Sequence, residues 1–383
     1  MNILINTSIL KNSLKDVMGV VGKDLSMPIL SHVLIEKNST VLKITGTNLE
    51  VQITSEAKFI EADEFDPVTV SGRKLYEIVR SLDQQEVSLN ASKNRITLKT
   101  NNSTFKLSTL PANNFPTFEE RKTTESFNIN QTQLLDLLNK TSFSMASNPD
   151  VRFILCGLLL EISPSELTAV ATDAHRLAIS SSTLEKKQIN KTSCIVPRKA
   201  VLELIRVLQG NNEAKVSVGA NQISVNLKGL CFVSKLMDGK FPAGYKGVIP
   251  ESAALEILLV KQHIRAALQR VSILANEKFK GVRIEATDKN IVLSSENPEQ
   301  EEAKETIEHK PSGSEDNKIV AGFNAGYLIE AINACSGDEV VIGLNGPKEN
   351  HEQTAGKKTR TEGTLIYSPN DNNTRYVVMP YNI

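Results

Sequence analysis

The 383-residue sequence predicts an α+β fold built from three repeats of one unit, each with two helices packed on antiparallel sheets. Three observations lead there. A strand-then-helix segment recurs three times at nearly constant spacing, the apolar faces of the three helices keep one register, and runs of alternating apolar and polar residues flank each copy. The length agrees, since a chain this long exceeds what one hydrophobic core usually organises.

The recurring segment is VTVSGRKLYEIVRSL from Val68, CIVPRKAVLELIRVL from Cys194 and, more loosely, KIVAGFNAGYLIEAI from Lys318. Leu75, Ile78, Val79 and Leu82 map onto Val201, Leu204, Ile205 and Leu208 at a shift of 126, and these map onto Leu328, Ala331, Ile332 and Cys335 at a further 127. That is the i, i+3, i+4, i+7 stripe of a helix with one buried face. SHVLIE, GLLLE and GVRIE, ending at Glu36, Glu161 and Glu285, keep step at 125 and 124. NNFPTF around Pro116, GKFPAG around Pro242 and VVMPYNI around Pro380 close the three units. Boundaries fall in the polar stretches RKTTES and IPESAA, giving domains 1–122, 123–250 and 251–383.

Each unit reads as helix, strands, helix, strands. The first helices span 8–21, with Leu10, Leu14, Val17, Met18 and Val21 on one face; 131–143, with Leu134, Leu135 and Leu138; and 260–274, with Ile264, Ala267, Leu268 and Val271. Asn6 to Ser8, Ser71 and Asn130 offer N-caps. VLKITGTNLEVQITSE and NRITLKTNNSTFKLSTL alternate as half-buried antiparallel strands do.

Composition is that of a globular chain, with 40% hydrophobic and 23% charged residues. No apolar run reaches the length of a membrane span, and MNILINTSIL lacks the basic start and cleavage site of a secretory signal, so a cytoplasmic protein is expected. Cys156, Cys194, Cys231 and Cys335 are far apart and form no zinc pair, which leaves buried free thiols and no metal. Lys plus Arg and Asp plus Glu are equal at 44 each, which excludes a chain-wide basic field.

Charge is nevertheless uneven. Six helical windows (7–23, 71–82, 130–144, 197–208, 260–273 and 324–333) carry +8 together, so the rest of the chain carries −8. Their basic residues, Lys11, Lys15, Lys23, Arg73, Lys74, Arg80, Arg198, Lys199, Arg206, Lys261, Arg265 and Arg270, fall largely off the apolar stripes. A modest positive layer gives salt-sensitive, sequence-independent attraction to phosphates, as sliding on DNA requires. Residues 93–106 carry +4 and residues 296–308 carry −5, so complementary ends of the first and third repeats would join two chains head to tail. Charged guards on exposed edge strands account for that pattern equally well.

The best enzymatic reading uses Asp173, His175 and Arg176, with carboxylate and imidazole two residues apart on one face of a strand. No third ligand cluster accompanies them, and no GxxxxGK[ST], HExxH or GxSxG motif occurs, so no catalytic residue is assigned. A structural network of Asp173 with Arg176 is the expected alternative. A protein-binding repeat adaptor that does not encircle DNA is the other competing reading; it leaves the basic helical layer without a purpose.

The chain resembles the bacterial sliding clamps, the beta subunit of the DNA polymerase III holoenzyme. The resemblance rests on MPIL at Met27, GTNLE at Gly46, STLPANNFP at Ser108, VATDAHRLA at Val170, VPRKAVLELIRVL at Val196, SKLMDGKFP at Ser234, ILANEKFKGVRI at Ile273, NPEQEEA at Asn297, GFNAGYLIEAINA at Gly322 and YVVMP at Tyr376. It implies three clamp domains per protomer, and a head-to-tail homodimer closing a ring around double-stranded DNA. The replicative polymerase, the clamp loader and other repair or replication proteins would be tethered through short linear peptides, with no cofactor and no membrane. The implied peptide cleft comprises Leu155, Thr172, His175, Arg176, Leu177, Pro242, Val248, Phe279, Asn324, Tyr327, Val377, Val378, Met379 and Pro380. The implied dimer interface sets Phe105 and Leu107 against Ile273 and Leu274 of a second copy, and Lys74 with the basic edge against Glu299 and Glu302. Ala174 stands where the family has glycine, Gly247 lies near a usual arginine, and Lys23 lies where a loop arginine is usual. The tail ends Tyr381, Asn382, Ile383, and residues 346–363 form a polar insertion read as a surface loop.

Overall fold

The computed structural model describes residues 2–22, 26–92, 94–119, 123–148, 152–185, 190–310, 318–345 and 362–381. Lys23 and residues 346–361 of the insertion lie outside the described residues. The first repeat runs β1 (Asn2–Asn6), α1 (Thr7–Val17), β2 (His32–Asn38), β3 (Val41–Thr47), β4 (Val51–Lys58), β5 (Glu61–Ala62), β6 (Val68–Ser71), α2 (Gly72–Ser81), β7 (Glu86–Ser92), β8 (Arg95–Lys99) and β9 (Thr104–Leu110). The second runs β10 (Thr123–Asn130), α3 (Gln131–Ser142), β11 (Gly157–Ile162), β12 (Glu166–Thr172), β13 (Arg176–Thr183), β14 (Thr192–Pro197), α4 (Arg198–Val207), β15 (Glu213–Gly219), β16 (Gln222–Leu227) and β17 (Leu230–Lys235). The third runs β18 (Leu255–Val260), α5 (Lys261–Val271), β19 (Gly281–Ala286), β20 (Asn290–Glu296), β21 (Glu302–Glu308), β22 (Ile319–Asn324), α6 (Ala325–Ala334), β23 (Glu339–Leu344), β24 (Thr364–Tyr367) and β25 (Thr374–Val378).

Each repeat therefore opens on a strand that the helix-first reading omits. NILIN alternates over only five residues before the helical stripe begins, too short a run to declare itself. The helices fall where expected, although α1 and α5 stop at Val17 and Val271 and their last turns tighten into 3₁₀ geometry over Met18–Val20 and Ser272–Leu274. Asn6 caps α1 by accepting from the Ser8 amide at 2.9 Å, and Asn130 caps α3 by accepting from the Thr132 amide at 2.8 Å. Ser71 makes no such bond.

The antiparallel sheets cross repeat boundaries. One sheet has the order β10-β15-β16-β17-β4-β3-β2-β6-β9-β8-β7-β1-β5, because β17 of the second repeat pairs with β4 of the first. Another has the order β14-β11-β12-β13-β25-β24-β23-β18, because β13 pairs with β25 of the third. The third sheet is β21-β20-β19-β22. Two compact units result, one of Met1–Leu135, Leu184–Asn190 and Lys199–Met237, the other of Asp136–Thr183, Lys191–Arg198 and Asp238–Ile383. The middle repeat is shared between them.

In the first unit Leu10, Leu14 and Val17 of α1 are fully buried, and α1 lies so close to β3 that a Cβ at Gly46 would meet the Val17 carbonyl at 3.1 Å. In the second unit Ile264, Ala267, Leu268 and Val271 of α5 join Leu328 and Ile332 of α6 and Val282, Ile284 and Leu293 of the four-stranded sheet. Each large aliphatic side chain so buried contributes roughly 1.5–3 kcal/mol. Cys194 and Cys335 are buried as expected, and desolvation raises both thiols to about 12, whereas Cys156 and Cys231 are only half-buried.

Candidate functional site

A tight turn between β12 and β13 organises the residues expected to form the peptide cleft, all of which belong to the second unit. Thr172 accepts from the Ala174 amide at 3.1 Å and donates to the Arg176 carbonyl at 2.6 Å, while Asp173 Oδ1 accepts from the amides of His175 and Arg176 at 2.9 and 3.0 Å. Asp173 and His175 thus sit in a turn, not on a strand, and the carboxylate is committed to backbone amides and to Arg176 Nε at 3.1 Å. The acid/base reading fails on that geometry, and the structural network holds. Among the described residues no group of three or more potential metal ligands is assembled.

Arg176 is the centre of the arrangement. Its side chain is only 10% exposed, pairs with Asp173 and Glu330, and donates to the Phe143 carbonyl at 2.8 Å. Its guanidinium lies 4.4 Å from the centroid of the Tyr327 ring and 5.4 Å from that of Phe143. The exposed His175 ring stacks on Tyr327 with centroids 6.3 Å apart. Asn324 caps α6 by accepting from the Tyr327 amide at 3.2 Å and donates to the Phe279 carbonyl at 3.2 Å. Neither Phe143 nor Glu330 was signalled as a site residue by the sequence, although Glu330 is the sole charge of an apolar helix.

The tail is held by the same turn. Arg176 and Leu177 pair with Val378 and Val377, and the Met379 amide donates to the His175 carbonyl at 2.9 Å. Pro380 offers no amide, and Tyr381 then bridges to Gly322 at 3.0 Å. Leu155, Thr172, Leu177, Val377 and Val378 are buried, while Phe279 is 57% exposed and Met379 and Pro380 are half-buried. Pro242 and Val248 stand at either end of a 3₁₀ turn whose Tyr245 hydroxyl donates to Glu161 at 2.9 Å. Burial, reinforced by that carboxylate, pushes the Tyr245 phenol well above its ordinary range.

The basic helices are less uniformly available than their count suggests. Arg73 pairs with Glu77 at 2.8 Å, Lys199 with Glu50 at 3.7 Å, Arg206 with Glu203 at 2.8 Å, and Arg270 with Glu305. Arg198 donates to the Met145 carbonyl at 3.0 Å and Lys261 to the Asn333 carbonyl at 3.0 Å, both satisfying backbone. Arg265 is half-buried with its Nε unpartnered. Among the described residues Lys11, Lys15, Lys74 and Arg80 are exposed cations without an ion pair.

Among the described residues, besides the terminal strands β5, β10, β14, β18 and β22, two strand edges stand open beside the charged segments of the first and third repeats. In β9 only Thr109 and Leu110 pair with β6, so Thr104 to Ser108, including half-buried Phe105 and Leu107, are bonded on one side only. In the second unit β21 pairs with β20 alone. Near it lie Ile273, 76% exposed, half-buried Leu274 and the exposed carboxylates of Glu299 and Glu302.

Three family models match in order: the N-terminal domain of the DNA polymerase III beta subunit over residues 1–119, its central domain over 128–243 and its C-terminal domain over 246–382. The chain belongs to the DNA polymerase III beta subunit family. Beta sliding clamps of Pseudomonas aeruginosa and Pseudomonas putida are 34% and 36% identical to it, with 99% of each chain covered in both cases. That of Escherichia coli is 36% identical over 85% of this chain and 88% of its own. A crystal structure of the DNA polymerase III subunit beta from Pseudomonas aeruginosa superposes with a TM-score of 0.92 at 34% identity, covering 100% of both chains. A sliding clamp from the same organism bound to griselimycin gives 0.91 at 34%, also over 100% of both chains.

The alanine at position 174 has a structural meaning. Its φ is +76°, a left-handed conformation that glycine adopts without cost, so alanine holds the turn at the expense of local strain. Gly247 has nothing within 4 Å of where a side chain would begin.

Proposed function

We propose that two copies of this chain close head to tail around duplex DNA and tether a replicative polymerase, acting as a non-catalytic processivity clamp in the cytoplasm. The observation that carries this reading is the pair of open strand edges of opposite charge. The β9 edge, with Arg95, Lys99 and Lys106 beside it, and the β21 edge, with Glu299, Glu302 and Glu308, are complementary in backbone and in sign. Antiparallel pairing across a two-fold axis uses each of these two edges once per chain. Phe105 and Leu107 then cover Ile273 and Leu274, while Lys74 lies on the basic side of the contact.

The unpaired cations of α1 and α2, Lys11, Lys15 and Arg80, suit a weak attraction to phosphates that lets the protein slide. Retention comes from enclosure rather than affinity. Around Arg176 buried apolar side chains (Leu155, Leu177, Val377, Val378) meet polar and aromatic ones (His175, Asn324, Tyr327), a combination that suits short extended peptides of polymerase, clamp loader and repair partners. A clamp from Pseudomonas aeruginosa is bound to griselimycin, which supports a ligand-accepting site on clamps of this family. A repeat adaptor without encirclement would need neither the complementary edges nor the free cations. After loading, the protein should stay on nicked circular DNA through gel filtration and run off once the circle is linearised; equal retention on both would overturn the topological reading.

A further inference from the structure

On the far side of Phe279 and Tyr381 from Arg176, the four-stranded sheet carries a groove of about 830 Å³. Strand alternation makes this the face opposite α5, since Val282, Ile284 and Leu293 point into the core while Arg283, Ser294 and Lys304 do not. Phe279, one of the expected cleft residues, and Tyr381 of the tail form one wall of the groove. The Tyr381 hydroxyl donates to the Phe279 carbonyl at 3.2 Å and covers Gly281, where a Cβ would come within 2.6 Å of it. Gly281 is itself the direct strand partner of Asn324 in the cleft, so cleft and groove are one strand spacing apart.

The charge pattern of the groove is specific. Arg283 lies opposite Ser294, and Ser294 opposite Lys304, so two cations flank one hydroxyl in a row across three strands, about 10 Å apart. Neither cation has a carboxylate within ion-pair distance among the described residues. Glu285, their neighbour on β19, lines the groove within the field of both cations and is engaged most closely by Lys318 at 2.5 Å. Glu296 and Glu302, directly paired, form an acidic row two residues closer to the wall, roughly 7 Å away along the strands. An anionic side chain is therefore repelled at the near row and attracted at the next.

We propose that this groove receives the flank of a peptide anchored in the cleft and selects an acidic side chain about three residues beyond the anchor, its carboxylate seated over Ser294 between Arg283 and Lys304. This rests on the cleft being a peptide site. Edge pairing of β21 with a second copy would use the backbone and leave Lys304 on the open face.

The test uses the full chain and fluorescein-labelled peptides with a Leu-Phe anchor, flanked on either end by four Glu, four Gln or four Lys. At low salt one Glu-flanked peptide should bind about fivefold more tightly than its Gln counterpart, and the Lys version more weakly. In R283S/K304S that preference should vanish while the Gln-flanked peptide keeps its affinity. Preference that survives the double variant, or no preference in the original chain, overturns the groove. Griselimycin competition separates the two failures: if it does not displace the Gln-flanked peptide, the cleft reading falls and the groove with it, whereas displacement without flank preference sinks the groove alone.

Discussion

At the first internal junction β4 pairs with β17, at the second β13 pairs with β25, and the turns leading into β4 and β13 are built alike. Thr47 and Asn48 hold the first turn through the amides of Leu49, Glu50 and Val51, as Thr172 and Asp173 hold the second. Leu49 and Ala174 both have positive φ, at +72° and +76°. Lys235 donates to the Glu50 carbonyl at 2.9 Å as Met379 does to that of His175. The side chains differ. Where the second junction has Asp173, Arg176 and Tyr327, the first has Asn48, Val51 and Ala200, and Glu50 is paired with Lys199. Two similar backbone joins thus serve different ends, one closed by aliphatic packing, the other built around an ion-paired arginine and aromatic rings.

The largest test of that difference removes the central guanidinium. Arg176→Met strands two carboxylates and the Phe143 carbonyl, and should lower the stability of its unit by about 3 kcal/mol. Arg206→Met at the first junction loses the Lys15 and Asp16 carbonyls and Glu203 from a side chain 34% exposed, and should cost about 1 kcal/mol. Hydrogen exchange in β13 and β4 reads the two effects separately, and equal losses would erase the distinction.

Acid should act on the junctions with opposite sign. Desolvation is the largest single influence on Asp371 and works to raise it. Hydrogen bonds from Lys140, Thr374 and the Asn373 amide outweigh desolvation and hold the carboxyl below its ordinary value, so its stabilisation is present at neutral pH and is lost as pH falls below 3.8. At the first junction desolvation raises Asp16 despite the bond from Ser55, so folding favours the protonated acid and its contribution declines as pH rises above 3.8. Protection of β25 should therefore fall before that of β17 on acidification, once intrinsic exchange rates are corrected. Loss in the reverse order would contradict both assignments.

The smallest effect separates the two strained turns. Ala174→Gly relieves the left-handed conformation and should raise stability by about 0.5 kcal/mol. Leu49→Gly relieves the same strain but gives up half-buried apolar surface, and should gain nothing. Thermal denaturation of the two variants ranks them, and a larger gain for Leu49→Gly would show that its side chain does not pack.

The helical stripes were legible because each keeps one face buried over three turns, and the repeat spacing followed from them. The pairing of β17 with β4 was not legible, since a strand's alternation fixes which face it buries and says nothing of its neighbour. At the cleft, the turn chemistry of Asp173 and Arg176 was readable from adjacent residues. Phe143 and Glu330 were not, because they arrive at Arg176 from 33 and 154 residues away. The basic layer was overcounted for the same reason: which arginine meets which glutamate, as Arg270 meets Glu305 across 35 positions, is decided by packing.

Sheet continuity through both internal junctions has a mechanical corollary. Separating the repeats would break five directly opposed residue pairs where β17 joins β4 and five where β13 joins β25. Such joins are stiff. In the closed pair of copies proposed above, parting the chains at one seam would leave both internal joins intact.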